Sequence, residues 1–183
     1  MKSNNTEAGF SYIDVMIAVV ILMVGILALL SGMSGAVLQA KGRDQQMLAK
    51  QTAASTMESI MSVKETDPAR LGWSAVGNVG SNPVGGIPQG IFVTGFQPVE
   101  DNAGPDEVLG TADDTGSVVT GLQRRIVITD VCDPDRPSYN CPTPGVNVVR
   151  IRSVEVTVRY YIGALSRDEV ITTVLTDYAL VDE

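Results

Sequence analysis

Few residues in this chain could do chemistry, and their types narrow what that chemistry could be. Histidine is absent from the 183 residues, which removes the usual general base, the Ser-His-Asp arrangement and every His-containing zinc site. The two cysteines, Cys132 and Cys141, flank "DPDRPSYN", a Pro-bearing turn able to bring their Cα atoms within disulfide range. Two thiols without further soft ligands make a poor metal site. The pair is therefore either a disulfide, the usual state in an exported domain, or two free thiols. Carboxylates crowd into "EDNAGPDEVLGTADDTG", residues 100–116, whose oxygen-rich, glycine-bearing frame suits Ca²⁺. Asp101, Asp106, Asp113 and Asp114 are the candidate ligands, with carbonyls near Gly110 completing the shell; the spacing is not that of an EF-hand, and a solvated acidic turn is the alternative. No other cofactor is expected. One acid stands apart: Asp14, at the lip of an apolar run in which the next charge is Lys41.

The elements that must position these groups read as one long helix followed by strands. Val15 to Ala40 carries no charged side chain, enough for the about 20 residues that span a bilayer and too long for the roughly 15-residue apolar core of a cleavable signal. Phe10 to Glu65 contains no proline, so a single helix of about 80 Å is expected, stopped by "TDP" at 66–68. Its second half changes character. Met47, Ala54, Met57, Ile60 and Met61 recur as one stripe, expected to lie on a partner surface. That surface is supplied by "GIFVTGF", "VVTGLQRRIVITDV", "NVVRIRSVEVTVRYYIG" and "DEVITTVLTDYAL", β-branched runs broken by Gly, Pro and Asp. Val154, Val156, Val158, Tyr160 and Ile162 alternate with Glu155, Thr157, Arg159 and Tyr161, the pattern of an antiparallel strand with one buried face. Val149 and Ile151 lie on the opposite parity, which predicts a bulge near Ser153. The fold class expected is α+β: a long N-terminal helix, apolar then amphipathic, packed on a C-terminal antiparallel sheet. Trp73 is expected as a core or staple residue. Gly25, Gly32 and Gly35 are either a close-packing face or ordinary membrane-helix composition.

Charge separates the regions. Residues 1–65 balance five acids against five bases, so the formal net charge of -8 falls on residues 66–183, with sixteen acids, eight arginines and no lysine. Such a surface repels phosphate backbones, and general nucleic-acid binding is not expected. The positive-inside rule gives no useful orientation, because Lys2 stands against Glu7 on one side while Lys41, Arg43 and Lys50 stand on the other.

"G-F-S-Y-I-D" followed by an unbroken apolar helix resembles the cleavage and methylation signature of type IV prepilins. "DVMIAVVILMVGILALLSGMSGAVLQA" and "LAKQTAASTMESI" are similar to the minor-pilin or pseudopilin subgroup, including pilus-modification proteins of the PilV type. The resemblance covers residues 9 to about 62; beyond them only the coarse order of helix then sheet is similar. It implies a leader over 1–9, a membrane and filament-core helix over 10–40, an amphipathic continuation over 41–65 and an exported sheet domain over 66–183. A prepilin peptidase would cut between Gly9 and Phe10 and methylate the new amine. The acid at the fifth mature position, Asp14, would pair with the N-terminal amine of a subunit, here Phe10, which answers why a charge costing about 2.5–3.5 kcal/mol in a membrane is kept. The family usually has Glu there, and Asp has the shorter reach. The implied partners are the peptidase, other pilins or pseudopilins, an inner-membrane assembly platform and lipid. The implied location is the inner membrane, N-terminus cytoplasmic and C-terminal domain periplasmic, then a filament, with no catalysis. The alternative is a single-pass anchored binding domain or enzyme that never polymerises.

Overall fold

The computed structural model describes residues 11–66, 71–131 and 149–177. The protein is α+β. Helix α1 (Tyr12–Glu65) is followed by a short 3₁₀ turn (Trp73–Ala75), a two-stranded hairpin of β1 (Pro83–Val84) and β2 (Ile87–Pro88), and four longer strands: β3 (Gln97–Asn102), β4 (Thr115–Asp130), β5 (Ile151–Ile162) and β6 (Leu165–Thr176). The long strands form one antiparallel sheet in the order β3-β4-β5-β6. The chain divides into two compact units, Met1–Lys41 and Gly42–Glu183.

In the first unit, α1 is long and apolar enough to cross a membrane, and none of its apolar window is buried in the protein. In the second unit the same helix lies on the sheet. Ala49, Ala53, Met57, Ile60 and Val63 join Leu122, Ile126, Val154, Val156, Val158 and Tyr160 in one core. Small residues let the helix approach. A Cβ added at Gly42 would stand 2.9 Å from Cδ1 of Ile162, so glycine leaves room for the end of β5 at this point.

Three expectations are corrected. The buried stripe is Gly42, Ala49, Ala53, Thr56, Met57, Ile60 and Val63; Met47, Ala54 and Met61 face outward. Those three form a column displaced by five residues from the buried column Gly42, Ala49, Thr56 and Val63, and five residues of a 3.6-residue helix turn it about 140° away from the buried face. No bulge occurs near Ser153: β5 pairs with β4 and β6 without a register shift through that point. The inward parity continues through Arg152, which is 4% exposed, so a charged residue holds a core position that apolar patterning could not assign. The shifts fall instead on β3, between Pro98 and Glu100 and between Glu100 and Asn102. Finally, "GIFVTGF" is not a strand. Its Phe92 forms one isolated bridge with Asn78, and its backbone bonds to Gly77, Val79 and Gly110 in neighbouring loops.

Candidate functional site

At the start of α1, Asp14 has a local role. Its Oδ2 accepts a hydrogen bond from the Ser11 backbone N–H at 3.2 Å, while the Asp14 N–H donates to the Ser11 carbonyl at 2.9 Å. This is one arm of a capping box, with the acid at N3 reaching back to the residue before the helix. The signal was present in the sequence as "S-Y-I-D". Carboxylates in a first helical turn also suit the positive end of the helix dipole. Gly9 and Phe10, the candidate processing residues, lie outside the described residues, as do Cys132 and Cys141.

The acidic loop is built against the second half of α1 and against β4. Asp114 forms a buried ion pair with Arg124, whose other terminal nitrogen donates to the Thr56 hydroxyl on the helix at 3.4 Å. The Asp114 carboxylate also accepts the Gly110 N–H at 2.9 Å, and Gly110 holds φ +100° with Cδ1 of Ile126 packed against its Cα side. The helix supplies a second tie, since the Ser59 hydroxyl accepts the Leu109 N–H at 2.9 Å. Sequence reading singled out Asp114 and missed Arg124. The available signal was Arg124 at the inward parity between Leu122 and Ile126, because a buried cation requires a partner.

The other loop carboxylates also accept hydrogen bonds, and Asp106 and Asp113 adjoin one another beside the Thr111 hydroxyl. Asp101 accepts the Ser117 N–H at 2.9 Å, and Asp106 accepts the Val108 N–H at 2.8 Å. Asp113 takes the Thr111 hydroxyl at 2.6 Å and the Asp106 N–H at 3.3 Å. Burial raises the Asp106 pKa above the usual carboxylate value, whereas the Thr111 hydroxyl lowers that of Asp113. Among the described residues no group of three or more carboxylates converges as a cation site would need. A cavity of about 300 Å³ opens beside the loop, with Gln97, Glu100, Thr111 and the Arg124–Asp114 pair in its wall.

A second buried arginine fixes the other end of the sheet. Arg152 donates to Asp130 at 3.1 Å and to the carbonyls of Trp73 and Val76, and its guanidinium lies 4.4 Å from the Trp73 ring centroid. Burial pulls its pKa below the ordinary arginine value, opposed by the Asp130 carboxylate. Trp73 packs on the core and donates its indole N–H to the Val149 carbonyl at 2.7 Å.

The class these features define is an α+β protein whose N-terminal helix carries one segment compatible with a single membrane span. No family model, curated protein or solved structure matches this chain.

Proposed function

We propose that this chain is a minor type IV pilin-like subunit, inserted in the inner membrane, cut between Gly9 and Phe10, methylated, and assembled through its N-terminal helix into a pilus or secretion pseudopilus. On this reading the subunit acts by assembly and does no chemistry. The observation that carries it is the contrast along α1: the part before Gly42 offers its whole apolar circumference, and the part after it is committed to its own sheet. The "G-F-S-Y-I-D" opening supports the processing step. Asp14 would exchange its Ser11 N–H for the amine of a neighbouring Phe10 on docking. Assembly as proposed does not require Ca²⁺ at Asp101, Asp106, Asp113 or Asp114.

The test is the intact mass of the chain purified from membranes containing a prepilin peptidase. The expected species begins at methylated Phe10, and a bulky replacement of Gly9 leaves the full-length chain. An uncut Met1 chain from such membranes overturns the proposal in favour of an anchored domain that does not polymerise. Asp14→Ala is expected to insert and be cut, yet to enter filaments poorly, with Asp14→Glu restoring entry.

A further inference from the structure

Among the described residues the sheet has two edges, and they are guarded differently. β3 is six residues long, carries Pro98 and is interrupted by two register shifts, devices that blunt an edge. β6 runs twelve residues in unbroken register with β5, and from Val170 to Thr176 it contains no charge, proline or glycine. The ladder decides which backbone groups look outward. The Asp177 N–H donates to the Arg150 carbonyl, opposite it in the β5–β6 register. Hydrogen-bonded positions alternate along an antiparallel pair. The odd-numbered residues of β6 therefore bond to β5, and the even-numbered ones, Asp168 to Thr176, turn N–H and C=O toward the open edge.

We propose that this edge docks β6 of a second copy of the chain, antiparallel, about a two-fold axis at Thr172. A two-fold contact must be self-complementary, and this segment is. Centred on Thr172, Val170 faces the partner's Val174 on the sheet face turned away from α1, and Val174 faces the partner's Val170. These valines are 52% and 58% exposed. On the other face Arg167 meets the partner's Asp177 at each end, two opposite-charge pairs. Neighbouring registers lose both features. The proposed register leaves Glu169 facing the partner's Leu175, but an axis at Ile171 sets both Arg167 and Asp168 against apolar residues, the partner's Leu175 and Val174, and one at Thr173 sets Glu169 against the partner's Asp177, like against like. The axis stands perpendicular to the sheet, so the two sheets join edge to edge with segments 42–65 of both copies antiparallel on the same face. Edge pairing alone buries less than the about 1,200 Å² of a standard stable interface, so the association is reversible. The inference does not rest on the pilin-like reading.

The test is sedimentation equilibrium of the full chain in detergent micelles, with thermal melts as the check on folding. Wild type is expected to dimerise as concentration rises toward about 100 μM. Thr172→Pro removes an outward N–H that β5 does not use, so it is expected to melt near wild type and remain monomeric. Arg167→Glu is expected to weaken the dimer about tenfold, and adding Asp177→Arg to restore it within about threefold. A monomeric wild type at that concentration, a dimer that persists in Thr172→Pro, or a charge reversal that fails to restore association would each overturn the proposal.

Discussion

From Tyr12 to Lys41, α1 leaves Ile21, Leu22, Leu27 and Leu29 exposed; from Gly42 to Glu65 it buries Ala49, Ala53, Ile60 and Val63 under the sheet. The glycines follow the same division. A Cβ at Gly25, Gly32 or Gly35 meets nothing within 4 Å, and one at Gly42 meets Ile162. The same backbone hydrogen bonding thus serves two solvents. Where protein is the solvent, close approach selects small residues in a narrow stripe; where it is not, hydrophobicity alone is written and no stripe is needed.

Breaking the contrast should be most damaging where the second half holds charge out of water. Asp114→Ala leaves the Arg124 guanidinium, 4% exposed, without its carboxylate, and the expected loss is about 3–5 kcal/mol in a denaturant titration of the full chain in detergent. Replacing both residues with leucine should recover part of that loss. An Asp114→Ala chain as stable as wild type would show the pair to be dispensable. Ile60→Ala, at a wholly buried position, is expected to cost about 2–5 kcal/mol. Its counterpart Ile21→Ala, at a 67% exposed position, should leave the melt of the sheet domain unchanged, and equal losses would erase the distinction between the halves.

Smaller effects sharpen it. Gly42→Val pushes on the flexible end of Ile162 and is expected to cost about 1–3 kcal/mol, while Gly32→Val should not alter the domain's thermal midpoint. Ser59→Ala removes the acceptor for the Leu109 N–H, worth about 1 kcal/mol, and should speed hydrogen exchange at Leu109 before any other loop amide. The least effect concerns pH. Asp113 titrates below its ordinary value because of Thr111, so it contributes stability above the unfolded-state pKa that disappears as pH falls through the folded one. Asp106, raised by burial, works oppositely: its ionisation at neutral pH opposes folding, and protonation on acidification relieves this. Thr111→Val should move the Asp113 carboxyl titration upward, measured by carbon NMR, and an unmoved titration would remove the hydroxyl as the cause.

The residues that misled the sequence reading are those whose partners lie far along the chain. Met47, Ala54 and Met61 carry the right types for a buried face, and only the sheet's position decides that Ala53, Thr56 and Ile60 take it. Arg124 and Arg152 interrupt apolar alternation, and the carboxylates and carbonyls that satisfy them come from loops up to 79 residues away. The acids of residues 100–116 differ in taking donors close along the chain, among them the N–H groups of Val108 and Gly110, in directions that only the fold shows.

By itself the sequence determined the long helix that spans Tyr12–Glu65, its uncharged stretch from Val15 to Ala40, the antiparallel character of β4, β5 and β6, and the division of charge, because helix propensity, period-two alternation and hydropathy are local properties summed over many residues. The tertiary structure alone decided which stripe of α1 is buried, the pairing of Arg124 with Asp114, the shifts on β3 and the openness of the β6 edge. Each of these depends on which surfaces meet, and a contact between distant residues is settled by packing and by the satisfaction of buried polar groups, neither of which leaves a periodic trace in the chain.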